Sequence, residues 1–142
     1  WRQIKAQQAE IEFGNRMQIG LWLRDRVKPE ETIYLECLGY IGYFSNGRML
    51  DHPGLCSPTV VAERKKRPWG VVLMIPVLQP DWLVLRTKDE YDKAKLLPGF
   101  TDQYEVQKEF DVYPRLKEHY ADLWGGNYLE FDSRFTVLKR KR

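Results

Sequence analysis

Four polar residues stand where the predicted strands of this chain end, and their side chains are of types that bind ligands: Glu36, Asp51, His52 and Arg86. Each ends, or closely follows, a short run of apolar residues that is typical of a buried strand. In an open α/β sheet, ligands bind in the crevice outside the carboxyl ends of the strands. We therefore expect these residues to form a ligand site, in which opposite charges hold sugar hydroxyls or a phosphate group.

The same residue types also have structural roles, and the sequence does not choose between the two. Glu36 and Asp51 can cap backbone amides in a loop rich in turns. Either can also pair with an arginine, Arg48 or Arg86, so that the charges neutralise one another as a network. His52 could act as a base beside Asp51, although neighbours in sequence seldom face each other in that way. No residue is predicted to be catalytic.

The two cysteines, Cys37 and Cys56, follow the first and the second predicted strand, so they are expected to be near neighbours. A disulfide between them is one alternative if the chain lies outside the cytoplasm, and two free, buried thiols are the other. They do not predict a zinc site, because only His52 and His119 are available to complete it. The chain also lacks the glycine-rich loops that bind nucleotides, so neither a metal nor a cofactor is expected.

Aromatic residues make up 13% of the chain, and some of them could form a platform for a sugar ring. The candidates are Tyr40, Tyr43 and Trp124, because the C–H faces of a sugar pack on aromatic rings next to polar groups. The alternative is that these rings pack in the core or lie on the surface without a ligand.

Short β-branched and aromatic runs bounded by turn residues predict strands near 32–36, 48–51, 82–86, 104–111, 127–131 and 134–140. The first three are predicted to be parallel, because helical segments separate them. The last two are predicted to form a hairpin that turns at Asp132 and Ser133. We therefore expect one α/β domain over residues 1–142, a mixed sheet with parallel N-terminal strands flanked by helices and a C-terminal antiparallel β-hairpin. The residues expected at its core are Ile33, Leu35, Leu83, Val84 and Leu85.

Helices are predicted between and before these strands. Residues 1–27 carry apolar side chains at helical spacing among many charged ones, which predicts a long amphipathic helix. Ser57 followed by Pro58 predicts the start of a second helix. Thr87 and Glu90 have the spacing of a capping box, which opens a third helix.

The composition is that of a globular domain, with 142 residues, 43% of them hydrophobic and 30% charged, and a net charge of +3. So small a charge does not indicate a nucleic-acid binder, which carries a concentrated basic face. The longest apolar run, 69–78, is about half as long as a membrane-spanning helix. Because the first residue is Trp1 and not Met, we expect the sequence to be either a processed chain or a segment of a longer protein.

Several stretches of this sequence resemble those of a known enzyme family. They are GYIGYFS at 39–45, Asp51 at a strand end, GLCSP at 54–58, PDWLVL at 80–85 and FTVL at 135–138. In this combination the chain is similar to the C-terminal soluble regions of bacterial polytopic membrane glycosyltransferases. These are the C-type enzymes that use lipid-linked sugars and are related to protein mannosyltransferases and aminoarabinose transferases. His52-Pro53 departs from the family, in which small or apolar residues are more usual there.

The resemblance implies a role beside an enzyme rather than a complete enzyme. In that family the catalytic acids lie on loops between membrane helices, and no such loop is in this sequence. The resemblance therefore implies an accessory, non-catalytic domain at the extracytoplasmic (periplasmic) face of the bacterial inner membrane. Its expected partners are the membrane-embedded part of the same chain and a glycan or lipid-linked sugar, and no nucleic acid. Two further hypotheses stay open, a carbohydrate-binding module and a small stand-alone α/β enzyme.

Overall fold

A computed structural model of the chain describes residues 1–66, 70–122 and 126–141. Its centre is a sheet of five strands: β1 (Thr32–Leu35), β2 (Arg48–Asp51), β3 (Trp82–Arg86), β4 (Tyr104–Asp111) and β5 (Arg134–Arg140). Their order across the sheet is β2-β1-β3-β5-β4. The strands that come first in the sequence therefore occupy one half of the sheet, and the last two occupy the other half.

Helical segments connect and precede these strands. The N-terminal ones are α1 (Arg2–Ala6), the π-helix π1 (Gln7–Arg16) and α2 (Met17–Arg24). The middle ones are α3 (Leu38–Ser45), α4 (Pro58–Lys66), a 3₁₀ turn (Val72–Met74), α5 (Ile75–Leu78), the π-turn π2 (Thr87–Tyr91) and α6 (Asp92–Ala94). The last ones are α7 (Phe100–Gln103), α8 (Tyr113–Tyr120) and α9 (Gly126–Phe131).

The sheet is mixed, as the sequence predicts. β1 pairs in parallel with both β2 and β3, and β5 pairs in an antiparallel manner with both β3 and β4. These pairings confirm the α/β class, with parallel N-terminal strands flanked by helices and an antiparallel C-terminal pair. Because neighbouring parallel strands end on the same side, the carboxyl ends of β1, β2 and β3 lie at one edge of the sheet, beside the start of β5.

The prediction of a strand at 127–131 is wrong, because those residues belong to helix α9. The sequence predicts 127–131 as the antiparallel partner of 134–140, but β4 takes that position beside β5. β5 has β3 on one side and β4 on the other, so neither of its edges is open to a further strand. Leu129 of α9 packs instead in a separate apolar cluster with Ile11 and Leu116.

Both faces of the sheet are covered by helices. On one face, α2 and α3 pack against the strands through a cluster that includes Ile19, Leu23, Ile41, Val84 and Val137. On the other face, α4, α5, α6 and α7 pack through a second cluster that includes Val60, Ile75, Ala94, Phe100 and Leu85. The residues expected at the core are confirmed there, each at most 1% exposed: Ile33, Leu35, Leu83, Val84 and Leu85.

The amphipathic helix predicted over 1–27 is confirmed between Arg2 and Arg24, where α1, π1 and α2 follow one another with helical backbone angles at both junctions. Its buried side carries Ala6, Ile11, Ile19 and Leu23. The π-helical stretch in its middle has a wider turn than an α-helix, and such stretches are rare. No helix among the described residues is long and apolar enough to cross a membrane.

Candidate functional site: a buried charge cluster at the sheet edge

The candidate site lies where the carboxyl ends of β1 and β3 meet. These strands are neighbours in the sheet, but the segments that follow them cover opposite faces. Ile41 of α3, after β1, packs on one face, and Ala94 of α6, after β3, packs on the other. Such a divergence opens a crevice between the strand ends, which is where α/β sheets bind their ligands. Glu36 follows β1 and Arg86 ends β3, so the fold brings these two predicted residues together.

Arg86 occupies the crevice, and groups of the same chain surround its guanidinium. Its Nη1 donates to the carboxylate of Glu36 and, at 2.8 Å, to Glu90 Oε1. Its Nε donates to Asp132 Oδ1 at 2.7 Å, and its Nη2 lies 2.9 Å from Cys37 Sγ. All three guanidinium nitrogens are therefore engaged, and only 11% of the side chain is exposed.

A second arginine, Arg16 of π1, completes the group. Its Nη2 donates to Asp132 Oδ2 at 2.6 Å, and its Nη1 donates to Glu12 Oε1 at 2.8 Å. Asp132 therefore has one guanidinium on each of its oxygens, which is the strong, charge-assisted form of the hydrogen bond. We call this group the Arg86 cluster, and its members are Arg16, Glu36, Cys37, Arg86, Glu90 and Asp132.

The two glutamates of the Arg86 cluster differ in their affinity for protons. Burial, with Glu36 close by, raises the pKa of Glu90 to about 7. Burial acts in the same direction on Glu36, but its hydrogen bond with Glu90 and the charge of Arg86 outweigh burial and lower the pKa of Glu36. Glu90 therefore holds a proton at mildly acidic pH, while Glu36 is ionised and accepts from it. Burial also raises the pKa of the Cys37 thiol to about 11, so Cys37 is a neutral thiol and a poor nucleophile at pH 7.

We expect the variant Glu90→Gln to flatten the pH dependence of stability. The folded chain holds the Glu90 proton up to about pH 7, whereas the usual pKa of a glutamate is 4.5. The folded state thus binds more protons than the unfolded state between these values and loses stability as the pH rises through them. Wild type should therefore lose up to about 3 kcal/mol more than Glu90→Gln between about pH 4.5 and 7.5. Urea denaturation at a series of pH values measures this difference.

The control for this experiment is Glu63→Gln, which removes a glutamate that pairs with Lys66 on α4, outside the Arg86 cluster. This variant should keep the wild-type slope. Because Glu36 and Glu90 titrate together as a pair, the difference between wild type and Glu90→Gln reports the proton that this pair holds. Parallel curves for wild type and Glu90→Gln would contradict the assignment of the proton to Glu90.

Asp51, the third predicted site residue, has a structural role. It is fully buried at the end of β2. Its carboxylate accepts the backbone N–H groups of Leu55 and Cys56 and the thiol of Cys56. Burial acts to raise the pKa of Asp51, but these hydrogen bonds outweigh it and lower the pKa. Asp51 therefore caps the loop that leads into α4, which is the structural alternative stated for it from the sequence.

His52, the fourth predicted residue, lies at the same edge but faces the β1 side chain Tyr34. Its Nδ1 is 3.1 Å from the Tyr34 hydroxyl, which in turn donates to the carbonyl oxygen of Val71 at 2.7 Å. Burial, followed by the positive charge of Arg64, lowers the pKa of His52. Since the carboxylate of Asp51 is engaged with backbone amides, the structure does not pair His52 with it as a catalytic base.

A comparison with protein-family models finds one that covers almost the whole chain. The model described as Domain of unknown function (DUF8728) matches residues 2–136. The chain belongs to this family. No curated protein and no solved structure matches the chain. The matched range includes every member of the Arg86 cluster, so the cluster is part of the DUF8728 domain.

The cysteines of this DUF8728 domain are free thiols in different surroundings. Cys37 belongs to the Arg86 cluster, whereas the Cys56 thiol donates to Asp51 Oδ1 at 3.0 Å. The structure therefore contradicts the disulfide, which was one of the two predicted alternatives. The other alternative, two free and buried thiols, is correct in that both are free, but Cys37 is only partly buried and Cys56 is exposed. Within residues 1–66, 70–122 and 126–141, no group of three or more His, Cys, Asp or Glu side chains is placed to hold a metal ion.

In the described part of the chain, no observed contact places a predicted sugar-stacking residue at the crevice between β1 and β3. Tyr40 packs edge-to-face on Phe13, with ring centroids 5.6 Å apart, and stacks on Phe44 at 6.1 Å. Tyr43 touches Phe44 edge-to-face, but 78% of it is exposed. Trp124 lies outside the described residues. Tyr43 therefore remains a hypothesis for a sugar contact, whereas the Tyr40 ring is already packed against other rings of the domain.

Four members of the Arg86 cluster are missing from the predicted ligand site: Arg16, Cys37, Glu90 and Asp132. The sequence predicts Cys37 only as one half of a possible disulfide. Glu90 has a local signature, the capping box with Thr87, and its Oε2 does accept the backbone N–H of Arg86 at 2.8 Å. Thr87 itself bonds to Thr136 and does not cap the turn. Arg16 and Asp132 have no local signature, since their contact spans most of the chain.

Proposed function

We propose that this DUF8728 chain is an accessory, non-catalytic domain of a bacterial membrane glycosyltransferase that uses lipid-linked sugars. The observation that carries the non-catalytic part is the Arg86 cluster, which fills the crevice where an α/β enzyme would place its substrate. The glycosyltransferase part rests on the resemblance of the stretches at 39–45, 54–58 and 80–85 to the soluble regions of those enzymes. On this proposal the domain lies on the extracytoplasmic side and contacts the membrane-embedded part of its own chain.

The charged groups at the sheet edge support a structural role for the site. A general acid or base must reach the substrate within hydrogen-bonding distance. Asp51, Glu90 and Asp132 are each at most 4% exposed, and each has its carboxylate engaged within the chain. Glu36 is more exposed but is held by Arg86. Among the described residues, the edge of the sheet therefore carries a neutralised, hydrogen-bonded network in which each of these acids is already engaged.

A carbohydrate-binding role is the second candidate, and the exposure of Tyr43 favours it. A tyrosine ring that is 78% exposed offers a face to a sugar ring without any rearrangement. This role is compatible with the first, because an accessory domain could hold a glycan near an enzyme. Titration with mono- and oligosaccharides tests it, and Tyr43→Ala should abolish any binding found. Glycan binding that survives in Tyr43→Ala would contradict this candidate.

The accessory role predicts that the isolated 142-residue chain does not turn over a glycosyl donor. Nucleotide-linked and lipid-linked sugars are incubated with the chain, and free or transferred sugar is measured against buffer. The expected result is no release above the buffer rate, because the acids at the sheet edge, Glu36, Asp51, Glu90 and Asp132, are each engaged by groups of the same chain. Turnover that depends on Glu36 or His52 would contradict the proposal and would favour the small-enzyme hypothesis.

The membrane context is tested separately, by the coding sequence upstream of Trp1. We expect several hydrophobic segments of about 20 residues there. In membranes that contain the parent protein, deletion of the domain should lower glycosyl transfer while the remaining chain stays inserted. An upstream region without such segments would contradict the glycosyltransferase part and would leave the structural role of the Arg86 cluster untouched.

A further inference from the structure

A second group of charges lies at the same edge of the sheet, around a tyrosine at the start of α8. A surface cavity of about 220 Å³ is lined by Lys88, Glu130, Phe131 and Arg134, and Tyr113 lies beside it. We call this cavity, together with the neighbouring side chains of Tyr113 and Lys117, the Tyr113 pocket. Unlike the crevice filled by the Arg86 cluster, it is an open concavity at the surface.

Three cationic groups converge on the ring of Tyr113. The guanidinium carbon of Arg134 lies 4.0 Å from the ring centroid, Lys117 Nζ 5.4 Å and Lys88 Nζ 5.7 Å. A ring face attracts a cation by roughly 0.5–1 kcal/mol at an exposed site. Three positive charges therefore lie around one tyrosine ring.

Nearby carboxylates neutralise these cations only in part. Glu130 Oε1 is 2.6 Å from Lys88 Nζ, and Asp111 Oδ1 is 3.5 Å from Arg134 Nε. Three positive and two negative charges leave a surplus of one positive charge. Chiefly through its hydrogen bond from Lys88, and also through the charges of Arg134 and Lys117, the pKa of Glu130 is lowered. The position of the three cations rests on their distances to the Tyr113 ring.

Two of the three cations keep unused hydrogen-bonding capacity. Arg134 Nε is a buried donor without a hydrogen-bond partner, and in the part of the chain that the structure describes its guanidinium makes no other polar contact than the ion pair with Asp111. Lys117 likewise has no ion pair with any described residue. This differs from Arg86, whose guanidinium nitrogens are all engaged. An arginine fork beside lysines is the arrangement that recognises phosphate.

We propose that the Tyr113 pocket binds the phosphate group of a small phosphorylated ligand such as a sugar phosphate. Arg134 and Lys117 supply the charge-assisted hydrogen bonds, and Lys88 adds a third donor when it turns from Glu130 to the ligand. Phe131, which is 50% exposed at the rim, offers an apolar surface to the remainder of the ligand. The Tyr113 pocket adjoins the Arg86 cluster, because the Phe131 ring centroid lies 4.8 Å from the guanidinium carbon of Arg86. Its three cations belong to none of the pairs of that cluster, and the proposal does not depend on the glycosyltransferase proposal.

The experiment is a titration of the whole chain with inorganic phosphate, glucose 6-phosphate and glucose at constant, low ionic strength, followed by NMR and calorimetry. We expect both phosphates to bind and glucose not to bind. Tighter binding of glucose 6-phosphate would assign the ligand as a sugar phosphate, and equal affinities would assign it as free phosphate; both outcomes support the site. Arg134→Gln should weaken binding about tenfold or more, because it removes one charge-assisted hydrogen bond.

Two further variants test whether the phosphate affinity changes in the predicted direction. Glu130→Gln should strengthen phosphate binding, because it removes a negative charge and releases Lys88. Lys95→Gln is the matched control, since Lys95 also pairs with a carboxylate, Asp92 at 2.8 Å, and lies 4.7 Å from a tyrosine ring centre, but outside the pocket. It should leave the affinity unchanged.

Four results would overturn the proposal. They are equal affinity of wild type and Arg134→Gln, weaker binding by Glu130→Gln, binding of glucose as tight as that of glucose 6-phosphate, and binding to phosphatidylglycerol vesicles without binding to either soluble phosphate. The last result would indicate a general electrostatic surface for membranes and not a pocket for a phosphate group. Circular dichroism spectra of all variants verify that they are folded, so a loss of binding is attributable to the substituted side chain.

Discussion

Replacement of Arg86 by alanine should lower the free energy of unfolding by about 3–5 kcal/mol, the range for a buried ion pair that loses one partner. The guanidinium of Arg86 contacts Glu36, Glu90, Cys37 and Asp132 and is almost completely buried. Without it, Asp132 keeps only Arg16, and two neighbouring carboxyl groups lose the positive charge that they share. Urea denaturation at pH 7.5 measures the change.

The matched control for Arg86→Ala is Arg24→Ala. Arg24 lies on α2 in an exposed pair with Asp25, 3.8 Å apart, and such pairs contribute about 0–1 kcal/mol. The loss in Arg86→Ala should also be smaller at pH 5, because Glu90 is then protonated in the folded chain and less negative charge is left without a partner. A loss below about 1 kcal/mol at both pH values would show that the network contributes nothing to stability.

The second large effect is expected from Leu83→Ala, in the middle of the sheet. Leu83 of β3 is fully buried and pairs across the sheet with Tyr34 of β1 and Leu138 of β5. Truncation removes its apolar contacts and leaves a cavity, because neighbours on both adjacent strands hold the backbone in place. Leucine-to-alanine changes at such sites cost roughly 2–5 kcal/mol, and the midpoint of denaturant unfolding should move accordingly.

Leu96→Ala is the control for Leu83→Ala, because the same atoms are removed from a side chain that is 83% exposed. Its free energy of unfolding should stay within about 0.5 kcal/mol of wild type. If Leu83→Ala cost less than about 1 kcal/mol, β3 would not be the central strand that the structure and the sequence both indicate.

The strands were predictable because their evidence is local. Short apolar runs such as 32–35 and 82–86 are bounded by turn residues, and burial on both faces requires such runs whatever the neighbours are. The strand at 104–111 was predictable from its alternation. The failure at 127–131 has a non-local cause, since a strand there would need an open edge of β5, and β4 already occupies that edge. The apolar residues of 127–131 are compatible with a helix or with a strand. Because both edges of β5 are occupied, the segment forms a helix.

The site was predictable only in part, for a related reason. Glu36 and Arg86 were placed together because parallel strands end at one edge, and their contact is observed. Asp51 and His52 lie at that edge too, but Asp51 is engaged by the nearby Cys56 and His52 by Tyr34 of the neighbouring strand. Position along a strand thus determines the edge at which a residue lies, and the hydrogen bonds of the folded chain determine whether its side chain is available.

By itself, the sequence determined the fold class, the apolar core and the edge at which polar side chains gather, because each depends on patterns within a few residues. Only the tertiary structure decided that the charged side chains at this edge bond to one another, as the Arg86 cluster, and are not free for a ligand. Arg16 meets Asp132 across 116 positions in the chain, and no local pattern encodes such a pairing. The physical reason is that a buried arginine must be neutralised and fully hydrogen-bonded. Which groups do so depends on the segments that the folded sheet brings to it.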